Sequence, residues 1–202
     1  MKILTITCWK HKINYFLLSW DERATVLASG VLERVGLGGS FISQTVPGRK
    51  PFVLEVDDIS HQSGIPLIIA ALTDQRYGVI GHVSDICAVG HRVAHGGEKF
   101  RHSVQIDNDV LEAIRALEHL APLHLGPNIA GIEAALLQLP AIPHVAIFDT
   151  SFHVSMSECA YIYPLPYEWY EKYGVRRYGF RGPSHLYLSR RAAVLLGKPL
   201  TD

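Results

Sequence analysis

The chain has 202 residues, of which 48% are hydrophobic and 19% charged, and its 19 Lys and Arg balance its 19 Asp and Glu. That composition excludes a disordered chain and supplies enough apolar residues for a sizeable core. The balanced charge leaves no electrostatic footprint for nucleic acid or an anionic membrane.

The N-terminal third reads as strands. Lys2–Thr7, Ile13–Trp20, Val26–Arg34 and Phe52–Val56 are short, rich in Ile, Val, Leu, Phe and Thr, and separated by turn signals. Lys10, His11 and Lys12 cut the first apolar stretch, and no small-residue cleavage site follows, so it does not read as a secretory signal. Gly36, Gly38 and Gly39 open a loop, and Pro47-Gly48 marks another.

From His61 the period changes. Residues 61–75 carry the apolar positions of a helix, which Pro66 suits only if it lies in the first turn. The longest apolar run, Ile65 to Leu72, falls far short of the ~20 residues that span a bilayer. Ile86–Val93 reads as a buried strand. Val110, Leu111, Ile114, Leu117 and Leu120 recur at helical spacing behind Asp107, Asn108 and Asp109, which offer caps. Ile129, Ile132, Leu136 and Leu139 repeat the signal between Pro127, at a helix start, and Pro140 beyond its end. His144–Asp149 is another apolar strand, ending in an acid, and a last helix runs from Ser184 to near Gly197. Cys8, Cys87 and Cys159 are odd in number, far apart and outside any C-x-x-C spacing, which suits reduced thiols. The expectation is a soluble, cytoplasmic protein with neither a membrane nor a nucleic-acid partner.

The resulting order is β-β-β, then α-β-α-β, then one more helix. This is an α/β chain with a mixed sheet, in the order of a ribonuclease H/actin-like half-domain. In such sheets, polar residues at the carboxyl ends of strands line ligand crevices.

Two strand ends and one loop carry candidate chemistry. Arg92 lies in Gly90-His91-Arg92-Val93-Ala94-His95-Gly96-Gly97, where a guanidinium can bind a carboxylate or phosphate bidentately. The alternative is a surface Arg on a loop. His91 and His95 have no acidic third ligand at a familiar spacing, which argues against a metal site there. Asp149 ends the strand Val145-Ala146-Ile147-Phe148, but with Thr150 and Ser151 it could equally be a turn residue. Residues 176–185 place Arg176, Arg177 and Arg181 just before a helix N-terminus, where anions are favoured, with a solvated basic loop as the alternative. Neither a P-loop nor a G-x-S-x-G elbow is present.

Taken together, GHRVAHGGEKF (residues 90–100), LAPLHLGPNIAGI (120–132), FDTSFH (148–153) and YIYPLPYEWYEKYGVRRYGFRGPSH (161–185) resemble the acetate/propionate kinase family in order and spacing. MKILTI at residues 1–6 is similar to that family's opening strand. The resemblance implies an actin-like, two-domain phosphotransferase that makes an acyl phosphate from a short carboxylic acid and ATP with Mg²⁺. It implies that Arg92 grips the carboxylate or the transferring phosphoryl group, that Asp149 is the catalytic acid, and that His124 and His185 are polar cleft residues. Ala94, Leu123 and Phe180 match the pocket for the acid's alkyl end. Ala94 stands where acetate-preferring members usually have Val, and burying one extra CH₂ there is worth about 0.8 kcal/mol, which implies propionate alongside acetate.

Three departures accompany the resemblance. The family's Asn-Ala-Gly-Ser-Ser-Ser-Leu-Lys loop, which approaches phosphate and metal, is here Thr7-Cys8-Trp9-Lys10-His11-Lys12-Ile13-Asn14, leaving Thr7 at the metal position. Arg181 stands at the family's catalytic His, and Pro183 replaces a Thr. The family's adenine- and phosphate-binding segments, including a His-Leu-Gly-Asn-Gly motif, would follow Asp202. The expectation is therefore an acid-substrate domain at 1–149 and the opening of a nucleotide domain at 150–202, with the apolar face of Ala192–Leu196 uncovered. Such a chain would be incomplete or inactive alone, with a C-terminal half chain or a second copy as its partner. The alternative is a non-catalytic module that binds small acids, acyl phosphates or a kinase partner.

Overall fold

Alternating apolar residues build an antiparallel meander from β1 (Lys2–Trp9), β2 (Lys12–Trp20), β3 (Ala24–Glu33), β4 (Ser40–Thr45) and β5 (Phe52–Val56). The computed structural model describes residues 1–200. Strands β1 and β2 pair from Lys2–Ser19 to Trp9–Lys12, so Lys10 and His11 alone make the turn between them. On its other edge β1 pairs in parallel with β6 (Ile86–Val93), and β6 pairs in parallel with β8 (His144–Phe148). A two-residue strand, β7 (Val104–Gln105), closes the far edge, giving the order β5-β4-β3-β2-β1-β6-β8-β7. The mixed α/β sheet expected from the element order is thus present, with two strands that the sequence reading did not contain.

Strand β4 was hidden by its composition, Ser-Phe-Ile-Ser-Gln-Thr between two turn signals. Its inward face is Ser40, Ile42 and Gln44, and the polar members are satisfied in place. Tyr15 Oη donates to Gln44 Oε1 at 2.7 Å, and Gln44 Nε2 donates to the carbonyls of Ala71 and Tyr77. Strand β7 is too short to leave a periodic signal.

Helices α1 (His61–Thr73), α2 (Asn108–Ala116) and α3 (Pro122–Gln138) follow. Ser60 and Ser63 form a reciprocal capping box at the start of α1. Pro66 lies inside α1 rather than in its first turn; Gln62, whose carbonyl it leaves without a helical partner, is exposed to water. Pro127 likewise lies inside α3, which begins at Pro122 and not at Pro127 as the sequence suggested. Pro122 takes the N-terminal place that suits proline, and the residue four before Pro127, Leu123, is exposed. Helix α2 stops at Ala116, and Glu118–Leu120 form a separate 3₁₀ turn, so the apolar periodicity through Leu120 outruns the helix. Short helices α4 (Glu158–Tyr161) and α5 (Glu168–Tyr173) lead to α6 (Gly182–Leu196), which starts two residues before Ser184.

Two apolar clusters fill the space between the sheet and α1, α2 and α3. One joins Leu4, Ile6, Ile13, Tyr15 and Leu17 to Ile65, Ile68 and Leu72, and the other joins Val93, Phe148 and Phe100 to Ile114, Leu125 and Ile129. Leu4, Ile6, Cys8, Val89, His91 and Val93 alternate onto this buried face, so Thr7, Trp9 and Arg92 project from the opposite one. On α6, Val194, Leu195 and Leu196 are 68–71% exposed, which is the uncovered apolar stretch expected there. No helix among the described residues is long and apolar enough to cross a membrane.

Candidate functional site

Parallel pairing brings the two candidate strand ends together. Residues Arg92 and Ile147 are partners in the β6–β8 ladder, and the Asp149 N–H donates to the Val93 carbonyl at 2.9 Å, one step past the end of β8. From these positions the side chains meet head on. Arg92 Nε donates to Asp149 Oδ1 at 2.8 Å and Nη2 donates to Oδ2 at 2.7 Å, a bidentate pair. Asp149 is buried, whereas the Arg92 side chain is 37% exposed, so the pair presents its guanidinium edge to the solvent side. The bond to Asp149 raises the Arg92 pKa above its ordinary value, and the side chain stays charged at any working pH.

Strand β1 contributes the roof. The Arg92 guanidinium carbon lies 5.1 Å from the centroid of the Trp9 ring, within reach of a cation–π attraction, and Trp9 meets His124 edge-on at 6.1 Å. A residue that the sequence reading passed over fixes this geometry. Asn128, buried on α3, accepts from the Ala94 N–H at 2.9 Å and donates to the Cys8 carbonyl at 2.7 Å, so one amide braces the ends of β1 and β6. Its signal was legible: an Asn inside the apolar stripe of Leu125, Ile129 and Ile132 must find partners for both ends of its amide.

The third wall is a strained turn. Gly179 has φ +71° and Arg181 has φ +57°, two left-handed residues flanking Phe180. Gly182 donates to the Asp149 carbonyl at 2.8 Å, and a Cβ there would lie 2.7 Å from that same oxygen. Only glycine permits this approach, which pins the start of α6 against the end of β8. A left-handed conformation costs a non-glycine residue such as Arg181 about 1–2 kcal/mol.

Arg92, Asp149, Trp9, Phe180, Arg181 and Ser184 line a cleft of about 610 Å³. Behind it, Thr7, Ala94, His124 and Asn128 join Trp9, Arg92 and Asp149 around a small pocket of about 10 Å³. The structure therefore gathers seven of the expected site residues: Thr7, Arg92, Ala94, His124, Asp149, Phe180 and Arg181. Leu123 and His185 line neither space. Leu123 is 64% exposed on the first turn of α3, and His185 packs instead near Phe152 and His153, at ring distances of 5.9 and 5.3 Å. Among the described residues, no group of three or more His, Cys, Asp or Glu side chains is placed to hold a metal ion.

The acetokinase family model matches residues 2–202 of this chain. The acetate kinase of Geobacter sulfurreducens is 58% identical over 198 residues, covering 98% of this chain and 47% of that protein. Among solved structures, acetate kinase of Porphyromonas gingivalis gives a TM-score of 0.94 at 43% identity, over 98% of this chain and 50% of that one. A propionate kinase from Francisella tularensis gives 0.89 at 32% identity, over 98% and 49%. The chain thus spans about half the length of the curated relatives it matches. With this match along nearly its whole length, the chain belongs to the acetokinase family.

Proposed function

We propose that this chain supplies the acid-binding half of an acetate/propionate kinase-like phosphotransferase, which converts a short carboxylate and ATP to an acyl phosphate and ADP. The observation that carries this reading is the bidentate Arg92–Asp149 pair at adjoining ends of parallel strands. Asp149 holds the guanidinium in one plane through Nε and Nη2. The Nη1 edge makes no bond to a protein group among the described residues, and in this reading it receives the substrate carboxylate or the transferring phosphoryl oxygen. A carboxylate bound to that cation stays ionised, which the attacking oxygen requires. Arg181, projecting into the same cleft, adds positive charge where negative charge develops. Ala94 and Phe180 receive the alkyl end, and His124 is a polar group beside it; Leu123 and His185, which line neither space, take no part in this reading. Residues 1–149 act as the acid-substrate domain, and 150–202 open the nucleotide domain. The remaining length of the relatives, as a C-terminal half chain, is the partner, with a homodimer as the other association. Three unpaired cysteines suit a reducing, cytoplasmic compartment.

Membership of the family implies ATP and Mg²⁺, and this donor set fits them poorly. Both oxygens of Asp149 are engaged by Arg92, which leaves the Thr7 hydroxyl as the other expected oxygen ligand. The two-residue Lys10-His11 turn, flanked by Trp9, offers no small-residue nest for phosphate. These same features favour the second reading, a non-catalytic module for small acids, acyl phosphates or a kinase partner.

Calorimetric titration of propionate tests the acid site. Binding present in the parent and lost in Arg92→Ala supports the assignment, and equal binding by the two proteins overturns it.

A further inference from the structure

Phe180 has a second side. Beyond it, away from Arg92, lies another cavity of about 650 Å³, walled by Phe180, Tyr163, Tyr173 and Tyr178 and reached by His95 and Arg177. Neither Arg92 nor Asp149 lines it.

His95 is 2% exposed and meets Tyr178 and Phe180 edge-on, at ring distances of 4.4 and 5.7 Å. Its Nδ1 accepts from the Gly97 N–H at 2.9 Å, which puts the proton of the neutral ring on Nε2. Burial, with a smaller contribution from His119, pulls the His95 pKa down to about 4, so the ring is neutral at physiological pH. The Nε2–H has no protein partner among the described residues. No fully enclosed side-chain nitrogen or oxygen among them lacks a partner, so this N–H opens onto the cavity that His95 lines. Open to the cavity and without a protein partner, this N–H is available to a ligand acceptor there.

The charge at the cavity comes from Arg177. Its Nη1 donates to the Ala160 carbonyl at 2.9 Å, and its guanidinium carbon stands 5.6 Å from the Tyr163 ring centroid. The rest of the fork is free of protein partners among the described residues. The neighbouring Arg176 is already spoken for: Glu98 pairs with it, and Tyr161 and Tyr178 sandwich it at 3.6 and 4.9 Å. No Asp or Glu lines the cavity among the described residues. Flat aromatic walls, one uncompensated cation and one free neutral donor define the complement: a single negative charge on a flat apolar body.

We propose that this cavity is a second ligand site, separate from the Arg92–Asp149 pair, that takes an aromatic monocarboxylate. Its carboxylate is bound by Arg177 and by the His95 Nε2–H, and its ring lies among the Tyr and Phe side chains. The argument uses no residue of the acid pocket except the shared wall Phe180, so it stands or falls separately from the kinase reading.

Benzoate is the probe, titrated into the chain at pH 7 by calorimetry and by NMR of the aromatic side chains, with benzyl alcohol as its uncharged counterpart. The expected result is benzoate binding that perturbs Tyr and Phe resonances, survives Arg92→Ala, and weakens about tenfold or more in Arg177→Gln and in His95→Phe. Benzyl alcohol is expected to bind correspondingly more weakly. Arg177 is exposed, so Arg177→Gln decides the matter if His95→Phe does not fold. Absent binding, undiminished binding in Arg177→Gln, or loss in Arg92→Ala, which would put benzoate in the acid pocket, overturns the proposal.

Discussion

Acidification from pH 7 to pH 5 should destabilise this protein. The cause is a set of histidines folded away in the neutral form. His91 and His144 lie on neighbouring parallel strands beneath α3, both nearly inaccessible, with His91 Nε2 and His144 Nδ1 3.0 Å apart. His144 Nε2 must donate to the Leu139 carbonyl at 3.0 Å, so its Nδ1 is the acceptor and His91 Nε2–H the donor. A proton added to His144 Nδ1 would set N–H against N–H. Burial pushes the His91 pKa down to about 3 and that of His95 to about 4, and lowers that of His144 as well.

The unfolded chain binds these protons near the ordinary pKa of about 6.5, and the folded chain does not. Unfolding is therefore accompanied by proton uptake, and stability falls as the pH drops through 6.5 toward the folded values. At about 1.36 kcal/mol per pH unit, each such ring costs about 2 kcal/mol at pH 5. His91 and His95 alone remove about 4 kcal/mol, a large share of the 5–15 kcal/mol typical of a folded domain. Hydrogen bonds from the Arg76 and Tyr77 N–H groups to Asp74, and from Lys2 to Asp85, hold those two carboxyl pKa values below the ordinary 3.8, so neither adds to the change above pH 5. Urea unfolding at pH 7, 6 and 5 measures the effect. Equal unfolding midpoints at pH 7 and pH 5 would refute the buried-neutral assignment.

Three further outcomes follow from the site's geometry. Asn128→Ala strips partners from the Cys8 carbonyl and the Ala94 N–H at once, an expected loss of about 2–4 kcal/mol in urea melts; a change within experimental scatter would deny the brace. Arg181→Gly relieves a left-handed side chain and should raise stability by about 1 kcal/mol while weakening anion binding in the cleft, so a destabilised variant would count against strain at that turn. Ala94→Val should shift preference toward acetate by about 1–3 kcal/mol in binding or turnover, and an unchanged acetate/propionate ratio would remove Ala94 from the pocket.

Branched and aromatic runs made most of the sheet legible, because β1, β2, β3, β6 and β8 owe their formation to apolar alternation or to burial on both faces. Strand β4 escaped because its inward face is Ser40, Ile42 and Gln44, and it takes the distant Tyr15, Ala71 and Tyr77 to make a buried Gln44 tolerable. Pro127 misled because proline favours a helix start, and its place inside α3 is tolerable only because the carbonyl it leaves without a helical partner belongs to the exposed Leu123. At the site, Arg92 and Asp149 stood out as strand-end residues, but their pairing across 57 positions depends on strand order, which no local pattern encodes. Asn128 was passed over because it looks like one polar interruption in a helix until the two backbone groups it bridges are known. The packing of His185 beside Phe152 and His153 depends on the turn at Gly179–Gly182, whose left-handed residues carry only the glycines as a signal.

The most direct test of the acid-binding reading is acyl-phosphate formation, trapped with hydroxylamine, from propionate, ATP and Mg²⁺. The chain is assayed alone and with the C-terminal half of the Geobacter sulfurreducens acetate kinase, in the parent and in Arg92→Ala. The account predicts product only when the second half is supplied, and loss of that product in Arg92→Ala. Equal product from the parent and Arg92→Ala would contradict it, as would no product from the supplemented parent.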